Sequence, residues 1–198
     1  MDTLFYIFLG TLLAFGVMFA WTRLFTFVAQ KPADYAQTGP EFDLRQHLKG
    51  PILCEGVIYG PTGRVNSRFV ADMDVSWDGN VGTMTEEFHY DGGARQSRYW
   101  KLTLGNDGSI KAEAPDVVGQ GTGQQTGAGV QLNYRIKLPQ ESGGHVLDTT
   151  DWMYLIENGA IINRSQFRKW GIKVAELVAT MRPIEGTKQI AEGERDAA

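Results

Sequence analysis

The stretch Arg64-Val65-Asn66-Ser67-Arg68-Phe69-Val70-Ala71-Asp72-Met73-Asp74-Val75-Ser76-Trp77 decides the fold. Its odd positions are Val65, Ser67, Phe69, Ala71, Met73, Val75 and Trp77. Its even positions are polar or charged except Val70. Alternation with period 2 marks a strand with one buried and one solvated face. Val130, Leu132, Tyr134, Ile136 and Leu138 alternate with Gln131, Asn133, Arg135 and Lys137 in the same way.

Turn signals lie between such runs. They are Pro61-Thr62-Gly63, Asp78-Gly79-Asn80, Asp91-Gly92-Gly93, Asn106-Asp107-Gly108, the Gly119–Gly129 run, Pro139–Gly144, Glu157-Asn158-Gly159 and Trp170-Gly171. Nineteen of the 24 glycines fall between Gly50 and Gly171, which ties glycine to the turns. Eight turns give nine strands of about 8–13 residues, and short strands at this spacing indicate a sandwich or barrel. No helical segment is long enough for a crossover between parallel strands. A meander of eight to ten strands closes most simply into an up-and-down antiparallel β-barrel, which removes exposed edges.

The N-terminal segment follows other rules. Thr3–Thr22 has 20 residues and no charge, and residues 1–30 carry only Asp2 and Arg23. Such a helix is about 30 Å long, enough to span hydrocarbon. Trp21 stands at the expected interface. A cleaved signal peptide would want a basic start and a small-residue cleavage site, whereas this chain opens Met1-Asp2-Thr3. The expected organisation is a transmembrane anchor over 1–30, a linker over 31–40, a barrel over 41–183 and a flexible tail over 184–198. Arg23 and Lys31 follow the helix and no basic residue precedes it, so the positive-inside rule puts the barrel in the cytoplasm.

Composition excludes several classes. The chain has 198 residues, one Cys and a net charge of −4. One Cys excludes an internal disulfide and any zinc site needing several thiolates. The acidic balance argues against nucleic-acid binding.

The alternation also exposes its exceptions. Glu86 shares a face with Met84, Phe88 and Tyr90, and Arg98 shares one with Trp100, Leu102 and Leu104. Asp116 falls among Ile110, Ala112, Ala114 and Val118, and Glu176 among Ile172, Val174 and Val178. A buried charge without a partner is costly, so these four must pair or reach water. They form either a buried ion-pair network or the polar patch of a ligand cavity. Glu86, Arg98, Asp116, Glu176, Trp100 and Tyr90 are therefore the candidate interior residues.

Other motifs carry less. The Gly119–Gly127 run lacks the helix and Lys of a phosphate loop and reads as a flexible hairpin loop. His47, His89 and His145 lack metal-ligand spacing, so no metal or cofactor is expected. Cys54 reads as a buried, inert thiol. Asp148 and Asp151 have a spacing open to acid–base work, but also mark a strand start. Arg164, Arg168 and Lys169 make one strand basic: a solvated face, or a contact for lipid headgroups.

The motifs Trp77-Asp78-Gly79-Asn80-Val81-Gly82-Thr83, Tyr90-Asp91-Gly92, Arg98-Tyr99-Trp100, Asp116-Val117-Val118-Gly119, Asp151-Trp152-Met153-Tyr154-Leu155 and Ile162-Asn163-Arg164 come in that order. With Phe42-Asp43-Leu44 and Leu48-Lys49-Gly50, they resemble the bacterial domain-of-unknown-function family 3833 over about residues 40–182. Many members of that family look like lipoproteins exported to the periplasm. The resemblance therefore implies an inner-membrane protein with a periplasmic barrel, with a transmembrane helix in place of a lipid-bearing Cys. Phe42-Asp43-Leu44 and Gly50-Pro51-Ile52 are also similar to the opening segment of lipocalins, with Ile52 where those have Trp. Lipocalin-like barrels bind small apolar molecules, an expectation resting on fold analogy.

The sequence thus points to a membrane-anchored, lipocalin-like barrel that binds a lipid or other apolar small molecule as a carrier or sensor. The alternatives are an enzyme acting on a lipid or polyketide-like substrate inside the barrel, and an assembly protein with a solid barrel. In the enzyme reading Glu86 or Asp116 would serve as general acid or base; outside that reading no residue is assigned a catalytic role.

Overall fold

A computed structural model describes residues 2–184 of the chain. The tail expected over 184–198 lies outside the described residues, apart from Ile184. An apolar helix, α1 (Asp2–Leu24), leads into two short 3-10 turns and a one-turn helix, α2 (Leu44–His47). Ten strands follow: β1 (Gly50–Tyr59), β2 (Val65–Asp78), β3 (Val81–Tyr90), β4 (Arg95–Leu104), β5 (Ser109–Glu113), β6 (Gly121–Thr126), β7 (Gly129–Lys137), β8 (Val146–Leu155), β9 (Ile161–Lys169) and β10 (Ile172–Pro183). Each pairs antiparallel with its sequence neighbours, and β10 pairs with β1, so the barrel closes.

The tenth strand is β6, inside the glycine-rich run expected to be a hairpin loop. Gly121–Thr126 pairs with β5 on one side and β7 on the other. Its glycines are packing residues. A Cβ on Gly121 would lie 3.1 Å from Tyr134 Cβ, and one on Gly123 would lie 2.5 Å from Leu132 Cδ2. The sequence signal was misleading because glycine marks close approach inside a strand as well as turns.

Alternation places one side chain of every pair inside. Phe69, Ala71, Met73 and Val75 of β2 are buried in the core, as the quoted stretch predicts. One end of the barrel is plugged. Asp43 caps α2 by accepting from Arg45 N at 2.9 Å, and Phe42, Leu44 and Leu48 fill the opening. Trp77 Nε1 donates to the Leu48 carbonyl at 2.8 Å and holds the plug. The β8–β9 turn lies at this end; the β1–β2, β3–β4 and β9–β10 turns lie at the other.

The segment before the plug lies on the outer wall. The Phe27 ring sits 4.6 Å from the Arg164 guanidinium. Tyr154 Oη and Tyr35 Oη both donate to Gln30 Oε1. Tyr35 packs on Trp152, with ring centroids 5.1 Å apart, and Thr38 Oγ1 accepts from Ala128 N. Trp152 is thereby fully buried although it points out of the barrel.

Gly56 marks where β1, β2 and β10 come closest. A Cβ there would lie 2.6 Å from the Val178 carbonyl oxygen and 2.8 Å from the Phe69 ring. Overpacking of this kind costs about 1–3 kcal/mol. Gly56→Ala should lower the midpoint of thermal unfolding, whereas Gly92→Ala, with nothing within 4 Å, should leave it nearly unchanged. Circular dichroism melts of the two variants check this.

Candidate functional site

Inside the barrel is a cavity of about 100 Å³. Four methionines line it: Met73, Met84, Met153 and Met181. The chain's other two, Met1 and Met18, precede the barrel, so every barrel methionine faces the cavity. Phe69, Phe88, Leu102, Leu132 and Phe167 complete much of the apolar wall.

The polar part of the wall comes from β3, β4, β7, β8 and β9. Arg98 is its centre. Its Nε and Nη2 donate to Asp116 Oδ2 and Oδ1 at 2.8 and 3.2 Å, a fork-to-fork pair. Its Nη1 lies 3.4 Å from Glu86 Oε2, which also accepts from Trp100 Nε1 at 3.2 Å. The guanidinium lies 4.8 Å from the Trp100 ring, and Tyr134 meets that ring edge-on. Burial works against the charge of Arg98, but Glu86 and Asp116 outweigh it and hold its pKa above the ordinary guanidinium value. Burial pushes the Glu86 carboxyl up, and Arg98 and Trp100 oppose it.

A second carboxyl, Asp151, stands apart from this network. It accepts from Asn163 Nδ2 at 2.5 Å and Ser165 Oγ at 2.8 Å, both on Oδ1, and it lines the cavity. Burial pushes its pKa up, and these two hydrogen bonds only partly offset that. Cys54 also faces the cavity; burial pushes its thiol up to about 12, so it stays protonated at neutral pH.

The structure brings together four of the six residues singled out from sequence. Glu86, Arg98, Trp100 and Asp116 form one network. Asp116 arrives by a different route than alternation implied, because β5 ends at Glu113. Beyond it, Asp116–Val118 bonds to the edge of β7, Val117 packs on the core and Val118 is exposed. Tyr90 lies nearer the unplugged end, stacked on Phe88 with its Oη on Gln96 Oε1, and is not among the residues lining the cavity.

Glu176 must be corrected: it faces outward. The β9–β10 register steps from Lys173↔Arg168 to Ala175↔Phe167, leaving Val174 as an extra residue. Such a bulge inverts the alternation beyond it. Leu177 and Met181 therefore line the cavity, while Glu176 binds Lys173 and Arg164 on the outer wall. Burial works against its charge, but these two cations outweigh it and lower its pKa.

Sequence reasoning named Asp151 only for its spacing from Asp148 and placed neither it nor Asn163 and Ser165 in the interior. The signal was present: Leu147, Thr149, Asp151, Met153 and Leu155 alternate through β8. Placing the strand start at Asp151 hid it.

The wall also has a lateral cleft. β4 pairs with β5 only over Lys101–Leu104, so its Arg95–Trp100 half has no ladder on that side among the described residues. Outside this gap is a hollow of about 380 Å³, lined by Gln96, Ser97, Tyr99, Pro115 and Asp116 among others. Arg98 lines both this hollow and the inner cavity, so its pair with Asp116 stands between them.

Asp151 supplies a signed prediction. A carboxyl whose pKa is higher folded than unfolded binds more protons in the native state, so stability falls as pH rises above the unfolded value of about 3.9. Asp151→Asn keeps an oxygen for Asn163 and Ser165 and removes the titration. It should raise the unfolding midpoint at neutral pH by a few degrees, with the gain vanishing towards about pH 4. Thermal melts across that range check this.

Solved structures share the barrel. Rv2717c from M. tuberculosis superposes with a TM-score of 0.53 at 16% identity, over 75% of this chain and 100% of that one. The S-type phycobiliprotein lyase CPES from Guillardia theta gives 0.53 at 8% identity, over 80% of this chain and 99% of that one. These likenesses establish the lipocalin-like fold alone. No curated protein matches the chain by sequence. A family model, described as a protein of unknown function (DUF3833), matches residues 21–183, and the chain belongs to that family.

Proposed function

We propose that the barrel binds a small, largely apolar molecule, such as a lipid, in its interior, and that Thr3–Thr22 tethers it to a membrane. The observation that carries the binding reading is the clustering of all four barrel methionines around one cavity that also holds a few fixed polar groups. Methionine is unbranched and polarisable, and it repacks around ligands of different shape. Apolar walls with a small number of convergent polar groups are the usual composition of ligand pockets.

Size matters to this reading. At about 100 Å³ the cavity is small beside ligand pockets, which are commonly about 300–1,000 Å³. Binding of a lipid therefore requires the methionines to move aside, and the Arg98–Asp116 pair would be the part of the wall to part beside the lateral cleft. The membrane reading rests on the 20 uncharged, largely apolar residues Thr3–Thr22, which are not buried against the barrel. A periplasmic placement in a bacterial inner membrane, as a single-pass protein, follows from the family resemblance, against the basic residues after the helix.

An enzyme is the second reading. Asp151 and Glu86 favour it, since both are buried carboxyls whose pKa values burial raises, a property of general acids. One structural neighbour carries the name of a lyase, but at 8% identity its likeness stops at the fold.

Full-length protein extracted from its native membrane should release a small apolar molecule by native mass spectrometry, and should bind dansyl-labelled undecanoic acid. Filling the cavity with Leu132→Trp should abolish dansyl binding while the chain still folds. Wild-type protein that releases no molecule and binds no probe overturns the proposal. In Glu86→Gln, lost turnover of the released molecule with retained binding favours the enzyme. Lost folding assigns Glu86 to the structural network.

A further inference from the structure

We propose that the β9–β10 hairpin tip, Trp170–Ile172, docks in the headgroup layer of an anionic bilayer, turning the unplugged end of the barrel towards the membrane. This rests on the reading of α1 as the membrane segment of the same chain. Three observations support it.

Trp170 is 87% exposed and Ile172 is 68% exposed, side by side at the end of a two-residue turn. On the neighbouring β1–β2 turn Val65 is 53% exposed. Tryptophan concentrates at membrane–water interfaces, where its ring is half solvated and its N–H finds a partner.

The turn geometry does not call for tryptophan. Trp170 has φ +53°, the left-handed region, where Asn or Gly sits most easily in a tight hairpin. Gly171 follows at φ +79° and meets the same requirement without a side chain. A large ring held exposed in a strained backbone is a cost to folding, and such strain clusters at functional contacts.

Charge on the β1–β2 and β9–β10 turns has one sign, while Asp91 and Glu141 lie on other turns at this end. Residues 60–65 and 168–173 contain Arg64, Arg168, Lys169 and Lys173, and no Asp or Glu. Lys169 lies 4.8 Å from the Trp170 ring and meets His145, and Lys173 also bonds Glu176. Cations beside exposed apolar side chains match an anionic lipid surface, at about 1 kcal/mol per Lys or Arg near it.

The course of the chain fits this orientation. From Phe27 at Arg164, through Gln30 at Tyr154, to Thr38 at Ala128, the outer segment runs from mid-wall towards the plugged end. The helix α1 ends at Leu24, three residues before Phe27. Arg164 is six residues from Trp170 along β9, about 20 Å at the usual strand rise. In this orientation the lateral cleft beside Arg98, on the unplugged half of β4, opens near the lipid.

The test uses the full chain reconstituted in vesicles of phosphatidylcholine and phosphatidylglycerol. An environment-sensitive nitrobenzoxadiazole label is placed at Ile172→Cys, at Thr62→Cys on the adjacent turn, and at Glu157→Cys on the plugged end. The buried native Cys54 gives the background, measured on the unmodified chain. The labels at 172 and 62 should shift to the blue and be quenched by lipids carrying a nitroxide near the headgroup, and the label at 157 should do neither. Trp170→Ser should return the label at 62 towards its aqueous emission. If the chain floats with the vesicles but the labels at 172 and 62 stay aqueous, docking is overturned and the anchor stands. A chain that does not float removes the anchor reading, and docking with it.

Discussion

Closure of the hydrogen-bond ladder between β1 and β10 is the constraint on which the rest depends. Once Ile52–Tyr59 pairs with Glu176–Pro183, no strand edge remains at that seam, and each residue in the ring of strands points either in or out. The interior is then a space that side chains must fill, and any polar group inside must find its partners there. Glu86, Arg98, Trp100 and Asp116 satisfy one another in this way, and Asn163 and Ser165 satisfy Asp151.

The ring is uneven, and its weak place coincides with its chemistry. β5 and β6 are the shortest strands, so half of β4 lacks a partner on one side. An ion pair, Arg98–Asp116, stands where a ladder would otherwise run. Elsewhere among the described residues each strand pairs with its neighbours in the ring. The same stretch of wall thus separates the inner cavity from the outer hollow.

The outer surface is as organised as the interior. The segment from Phe27 to Thr38 buries Trp152 and Tyr154 from outside, which makes it part of the barrel wall. Gly127 and Gly129 permit its close approach, since a Cβ on Gly129 would lie 3.1 Å from the Tyr35 ring. The apolar helix is therefore joined to a packed strap, which restricts how the barrel can turn relative to it.

By itself the sequence determined the strand alternation, the antiparallel meander, the apolar helix and the inward direction of Glu86, Arg98 and Trp100. Those features are local: period 2, turn residues and hydropathy are set by neighbours in the chain. Tertiary structure decided the remainder. The strand at Gly121–Thr126 exists because β5 and β7 flank it, and its own composition reads as a loop. Glu176 faces outward because one extra residue, Val174, enters the β9–β10 register, and no local pattern distinguishes that from continued alternation. Asp116 meets Arg98 across a gap between strands, and Asp151 meets Asn163 and Ser165 across a ladder. These partners lie on neighbouring strands or across the β4–β5 gap, so their meeting depends on strand register, which is why the sequence nominated a polar group and a network as one reading but not which residue bonds which.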